Sequence, residues 1–293
     1  MNYVLITPAR NEEAFLELTI KSVVSQTMLP MRYVIVSDGS TDGTDEIAAR
    51  YAAQYSWIDF VRMPPREARN FAGKVGSFNA GQARVQDLAY DAIGSLDADI
   101  TFDGEYFEFL LGKLAADERL GLVGTPFDEG AGTYDYRFSS LDHVSGACQL
   151  FRRECFEQIG GYVPLKGGGI DVVAVLSARM KGWRTRTFPE KTSVHHRPMG
   201  SANDDHKWAA QFKLGQRAYR LGFHPVWQVF RSVYQMTRRP YVLGGAALAA
   251  GYFWALLRRI ERPVPLELVR FQQQDQLKRL RAFVGARVLG RQD

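Results

Sequence analysis

Two stretches of the sequence set carboxylates where a ligand could meet them. In VSDGSTDGT, Asp38 follows the run Tyr33 to Ser37, which reads as a buried strand. In an open parallel sheet, ligands bind at the carboxyl ends of the strands. A carboxylate there can accept hydrogen bonds from a nucleobase or a ribose, and Gly39 lets the backbone turn closely around such a ligand. Asp-Gly-Ser also makes an ordinary Asx turn on leaving a strand, so both readings stand. In SLDADI, Asp97 and Asp99 follow the apolar segment Ala92 to Leu96. Residues i and i+2 of an extended strand face the same side. Two carboxylates so placed can hold a hard divalent cation that substrate phosphate oxygens complete. A lone D-x-D is common in surface loops, and by itself it decides nothing.

The elements that must position these groups read as α/β. Val4 to Thr7 is a short buried strand, Tyr33 to Ser37 a second, Trp57 to Arg62 a third and Ala92 to Leu96 a fourth. Between the first two, Phe15, Leu18, Ile20, Val23 and Val24 follow helical spacing. Asn11 is the expected N-cap, Glu12 and Glu13 suit the positive end of the helix dipole, and Leu29-Pro30 ends the helix. After Asp38 comes a polar, Gly-containing turn and a helix that Thr44 or Asp45 can cap. Strand–helix–strand–helix in this order predicts right-handed parallel βαβ units.

The run ITPARNEEAFLELTIKSVVSQT followed by YVIVSDGSTDGT resembles the opening of family 2 glycosyltransferases. GKVGSFNAG resembles the family's next block, with Lys74 and Asn79 at its recurring positions, and SLDADI resembles its D-x-D strand. HVSGACQLFRRECFEQIGGY resembles the segment before the acceptor site, where a Gly-Ala turn precedes a helix ending in Gly-Gly-Tyr. GGGIDVVAVLSARMKGW resembles the block carrying the acidic catalytic residue. Five blocks in order, over about residues 1–200, are far more specific than any one of them.

The resemblance implies a GT-A, Rossmann-like domain over 1–200. It also implies a nucleoside diphosphate sugar as donor (a UDP-sugar first), Mg²⁺ or Mn²⁺ as cofactor, and inversion at the anomeric carbon. Pro8, Arg10, Glu12, Asp38, Lys74, Asn79 and Asp97 would then line the donor site, with Asp38 on the base and Asp97 on the ribose or a metal-bound water. Asp99 would ligate the metal. Arg10 and Lys74 would add positive charge near the phosphates, although each reads equally well as an ordinary surface residue. Inversion by direct displacement needs a general base opposite the leaving group. Counting back from Gly182-Trp183 places Asp171 at that position. Where the family usually has Glu-Asp, this chain has Ile170-Asp171, one carboxylate instead of two. Asp171 also reads as a cap of the following helix. In SVHHRPMG, His195 and His196 lie where relatives often have a histidine at the metal or the diphosphate. Adjacent strand residues face opposite sides, so one of the two is expected to reach the metal, and the spacing does not choose.

Composition bounds the rest. The chain has 293 residues, 46% hydrophobic and 24% charged, which fits a globular protein and excludes a disordered or fibrous one. Cys148 and Cys155 give neither a disulfide framework nor a metal quartet, and both are expected to be reduced and buried. The opening MNYVLITPAR has no basic-then-apolar leader pattern, which favours a cytoplasmic location. Residues 201–293 carry 16 Lys/Arg against 6 Asp/Glu, a net of +10, and residues 1–200 carry 21 against 26, a net of −5. A basic, aromatic, helical tail on an acidic domain points to an anionic partner. Its longest feature is the uncharged run 241–257, which argues for the cytoplasmic face of a membrane and against nucleic acid. As a helix that run would be about 26 Å long, at the low edge for spanning a bilayer. It also suits an in-plane helix, or a helix packed closely on another through its glycines. A glycan or lipid-linked acceptor, in surface polysaccharide or glycolipid assembly, follows as the expected partner. The competing functions are a nucleotidyltransferase, whose usual Gly-rich loop TPARNEEAF lacks, and a catalytically inactive membrane-bound scaffold.

Overall fold

A computed structural model describes residues 1–65, 71–129, 140–197 and 207–288. The chain forms two compact units, Met1–Pro198 and Met199–Asp293. In the first, β1 (Tyr3–Ala9), α1 (Leu16–Val24), β2 (Arg32–Ser37), α2 (Thr44–Gln54) and β3 (Ile58–Arg62) alternate. They continue through α3 (Phe71–Ala83), β4 (Ala92–Leu96), β5 (Ile100–Thr101), α4 (Tyr106–Ala116), β6 (Leu120–Gly124) and β7 (Phe127–Asp128). Then follow β8 (Cys148–Arg152), α5 (Arg153–Gln158), α6 (Ile170–Met180), β9 (Arg184–Thr187) and β10 (Ser193–His195).

The main sheet has the order β3-β2-β1-β4-β8-β6-β9. β1, β2 and β4 carry near-continuous buried runs, because the sheet is covered on both faces. β1 pairs parallel with both β2 and β4, so strand order reverses at β1. The crevice outside the carboxyl ends of β1 and β4 is therefore the switch point at which ligands bind in such sheets. β8 runs antiparallel between β4 and β6, and Cys148 pairs with Leu96, which brings the Gly146-Ala147 turn to the same edge. A small second sheet, β5-β10-β7, stands beside it. Cys148 and Cys155 are free and buried, as expected, and burial pushes both thiols up to about 12.

Asn11 does not cap α1, which begins at Leu16 after Phe15. It takes a left-handed conformation (φ 55°), which Asn tolerates, and its Oδ1 accepts from the Thr41 amide at 2.9 Å. The expected helix start is thus a loop stitched to the next loop. In α2 the N-cap is Gly43, and the Thr44 amide and hydroxyl donate to Asp42 Oδ1.

The second unit is helical: α7 (Lys207–Arg220), α8 (Pro225–Met236), α9 (Tyr241–Leu257) and α10 (Leu266–Val288). α9 covers the uncharged run, and its glycines are packing surfaces. A Cβ on Gly251 would lie 2.0 Å from the Phe212 carbonyl oxygen of α7, and one on Gly215 of α7 would lie 2.1 Å from that of Leu248. The two backbones touch where side chains would hold them apart. The expectation of a spanning segment fails here: among the described residues, no helix is long and apolar enough to cross a membrane.

Candidate active site

The carboxyl ends of β1 and β2 are level, with Pro8 opposite Val36 and Ala9 opposite Ser37. The loops that leave them are tied together by Asn11 N–H to Ser40 Oγ (3.1 Å), Glu12 N–H to Thr44 Oγ1 (2.8 Å) and Gly43 N–H to Glu13 Oε2 (2.8 Å). Asp38 is buried at this edge, with Arg10 Nη1 3.8 Å from its Oδ2. Gly39 turns the chain at φ +64°, and a Cβ there would lie 2.8 Å from Pro65 Cα. No other residue fits that turn without a shift, which keeps Asp38 aimed along the edge.

Asp97 and Asp99 do not share the face of a strand, contrary to the alternation argument, because β4 ends at Leu96 and both lie in the turn before β5. They diverge to different partners. Lys74, from α3, donates a short hydrogen bond to Asp97 and reaches the Gly146 carbonyl oxygen at 3.4 Å. Burial alone would lower the Lys74 ammonium, but Asp97, with Asp171 and Asp99 behind it, holds it above its ordinary range. Burial pushes the Asp97 carboxyl up even with Lys74 beside it.

Asp99 faces His195, whose Nε2 is 3.4 Å from its Oδ2. The other ring nitrogen, Nδ1, sits 2.9 Å from Glu129 Oε1. β10 sets this geometry: His195 pairs with Ile100 of β5, and the neighbouring Val194 pairs with Asp128 of β7. His196 lies just past the end of β10 and meets different partners. Its Nε2 is 2.9 Å from Thr101 Oγ1 and its ring stacks on Phe15, whereas His195 is the histidine whose ring lies beside Asp99. Arg197 grips Glu12 with two hydrogen bonds, one of them Nη1 to Oε1 at 3.0 Å. Glu12 thus ties the loop after β1 to the histidine segment.

The donor set fits a divalent cation. Among the described residues no three acidic, histidine or cysteine side chains form a closed metal cage. A carboxylate and an imidazole side by side instead form an open two-ligand platform, which diphosphate oxygens and water can complete. Glu129 holds the far nitrogen of His195, the usual second-layer support of a ligating histidine.

Burial would lower the His195 pKa, but its hydrogen bonds to Asp99 and Glu129 and the charge of Asp99 outweigh burial and push it up to about 9. His195 in the metal-free protein therefore stabilises the fold fully below about pH 6.5, and that contribution fades as pH rises through about 9. His195→Gln should flatten the fall in melting temperature between those limits. A variant with the wild-type pH slope would remove His195 from this cluster.

Asp171 lies in the first turn of α6, whose N-cap is Gly169. It packs against Gly146, where a Cβ would stand 3.1 Å from the Asp171 Cβ. The Gly146 carbonyl is the one that Lys74 reaches, so Asp171, Lys74 and Asp97 surround one turn. Ile170, at the family's Glu position, is buried. Asn79 is exposed on α3 and is not gathered with these groups. Two residues that the sequence reading did not single out, Glu129 and Arg197, complete the cluster.

Residues 4–164 match the model of the family described as Glycosyl transferase family 2. The chain is similar to the probable glycosyltransferase YdaM of Bacillus subtilis, at 26% identity over 75% of this chain and 47% of the relative. It is also similar to the succinoglycan biosynthesis protein ExoA of Rhizobium meliloti, at 28% identity over 54% of this chain and 52% of the relative. The chain spans about half the length of these relatives. Among solved structures it resembles a mannosyltransferase of Pyrobaculum calidifontis in complex with GDP-Man and Mn²⁺, with a TM-score of 0.58 and 18% identity over 97% of this chain and 80% of that one. It likewise resembles TarS of S. aureus with UDP-GlcNAc, with a TM-score of 0.56 and 12% identity over 98% of this chain and 81% of that one.

Proposed function

The chain belongs to glycosyl transferase family 2 and has the GT-A fold, and from that premise we propose that it is a metal-dependent inverting glycosyltransferase. In this reading it moves a sugar from a nucleoside diphosphate sugar to an acceptor hydroxyl. One observation carries the proposal: Asp97, Asp99, His195, Lys74 and Asp171 converge at the switch point of the sheet.

Asp38 and the turn at Gly39 receive the nucleoside, with Pro8 and Arg10 beside them. Asp97 would take the ribose side, and Asp99 with His195 would hold Mg²⁺ or Mn²⁺. That cation, when bound, acts as a Lewis acid on the diphosphate. Lys74 adds a fixed positive charge where negative charge grows as the diphosphate leaves. Asp171 accepts the proton of the acceptor hydroxyl while its oxygen bonds to the anomeric carbon and the bond from that carbon to the phosphate oxygen breaks. The bonding pair leaves with the nucleoside diphosphate, and the anomeric centre inverts.

A UDP-sugar is the first donor to test, since the TarS structure holds UDP-GlcNAc, with GDP-Man next from the mannosyltransferase. The succinoglycan relative, by its name, supports a glycan or lipid-linked acceptor in surface polysaccharide or glycolipid assembly. The +10 of residues 201–293 supports work at the cytoplasmic face of a membrane.

A thermal-shift panel of UDP-, GDP- and dTDP-sugars, each with Mn²⁺ or with chelator, tests the donor site. A ligand at about 100 times its Kd stabilises by about 2.7 kcal/mol. At least one donor should raise the melting temperature with Mn²⁺ and lose that effect with chelator. No metal-linked shift from any of them would overturn the proposal.

A further inference from the structure

The second unit carries a helix whose polarity is inverted. On α8, Val226, Val229 and Val233 recur at spacings of 3 and 4 and are 51%, 48% and 57% exposed. Two polar residues of the same helix face inward: Gln228 and Ser232 are buried, and Gln228 Nε2 lies 3.5 Å from the Leu248 carbonyl oxygen of α9. A surface helix in water shows the reverse pattern.

α9 adds a second apolar stripe. Leu243, Ala246, Ala250, Trp254 and Leu257 are all exposed, at spacings of 3, 4, 4 and 3, with Leu243 73% and Leu257 82% exposed. Its opposite side, Gly244, Gly245, Gly251, Tyr252 and Ala255, is buried in the helix packing. Arginines bracket the stripe: Arg238 and Arg239 precede α9, Arg258 and Arg259 follow it, and all four are exposed. Tyr234 and Arg238 pair at 2.7 Å, and the Arg258 guanidinium lies over the Trp254 ring at 5.9 Å. Aromatic–arginine pairs at the edge of an apolar face suit the headgroup layer of a bilayer.

We propose that the outward faces of α8 and α9 dock this chain in the plane of an anionic lipid surface, without spanning it. The valines, Leu243, Trp254 and Leu257 enter the acyl boundary, and the four arginines meet headgroup phosphates. Charge decides the occupant. A second copy would bring like-charged arginine clusters together at +10 per copy, whereas an anionic bilayer neutralises them. Length decides the mode: 17 residues make a helix of about 26 Å, and no described helix is fit to cross. The inference deepens the membrane-side reading of the proposed function and rests on it only for its purpose.

The test floats the full chain with vesicles of phosphatidylcholine alone and of phosphatidylcholine mixed with phosphatidylglycerol. The wild type should float with the mixed vesicles and weakly with the neutral ones, and added salt should lower its recovery. Val229→Asp/Val233→Asp and Leu243→Asp/Leu257→Asp should each weaken partition at least ~10-fold, because each puts charge in place of two apolar groups that enter the acyl boundary. Their melting temperatures should hold, since all four positions are exposed. Wild-type partition by both variants, or no partition by the wild type, overturns the inference. So does a dimer in solution that the variants split and that never floats. A nucleotide-sugar thermal shift on the same samples separates the two readings. A shift without flotation sinks the docking alone, and flotation without a shift supports the docking and sinks the transferase.

Discussion

Asp171→Asn is expected to slow sugar transfer by about 10²–10⁴ while nucleotide affinity and melting temperature stay near wild type. The expectation rests on where Asp171 sits. It occupies the first turn of α6, while the N-cap position itself is Gly169. Asn keeps its size and can make any local hydrogen bond that Asp makes to the backbone, so the helix has no reason to weaken. The carboxylate is the group that changes. It stands across Gly146 from Lys74 and Asp97, at the edge where the donor would lie. A neighbour cannot stand in for it: Ile170 is buried and apolar, and Asp97 is held by Lys74. An Asp171→Asn protein that retains more than half its transfer rate would move the base elsewhere.

Asp99→Asn should weaken Mn²⁺-dependent binding of the nucleoside diphosphate at least ~10-fold, or about 1.4 kcal/mol. Asp99 is one of two side chains on the open platform and the only one of the two that is anionic, since a ligating imidazole is neutral. Burial would raise its carboxyl, but the hydrogen bond and charge of His195 and the charge of Arg197 hold it below its ordinary range, so it is ionised at neutral pH. Binding measured with chelator present should change much less, because Asp38 and the turn at Gly39 are untouched. Calorimetric affinity in Mn²⁺ equal to that of the wild type would remove Asp99 from the metal site.

The parts of the fold legible in the sequence are those where burial writes a simple pattern. β1, β2 and β4 are covered on both faces and read as short, mostly apolar runs. α9 has no charge and was bounded by its flanking arginines at the residues the structure shows, Tyr241–Leu257. β8 was hidden because its second residue is Gln149, a buried polar side chain satisfied by Tyr162 Oη at 2.8 Å and the Val144 carbonyl oxygen at 3.1 Å. β9 was hidden because it is the edge strand RTRT, whose two threonines are buried while the arginines are not.

The candidate site was legible in its carboxylates and less so in its supports. Asp97 and Asp99 were found by motif, but their shared face was inferred from a strand that ends at Leu96. What sets His195 rather than His196 beside Asp99 is the register of β10 against β5, which spacing along one chain does not encode. Glu129 follows a two-residue strand far from any motif, and only its distance to His195 singles it out. Arg197 was visible in SVHHRPMG, but its partner Glu12 is 185 residues away. The glycines of α9 were read as suiting either a membrane or another helix, and the approach of Gly251 to the Phe212 backbone decides for packing.

Turnover is the most direct test of the central claim. The full chain is incubated with each nucleotide sugar of the panel in Mn²⁺, and release of the nucleoside diphosphate is followed in wild type and in Asp171→Asn. The account predicts release from at least one donor, its loss with chelator, and a collapse of the rate in Asp171→Asn although that protein still binds the nucleotide. Failure to turn over any donor, or an equal rate in the presence of chelator, would contradict it.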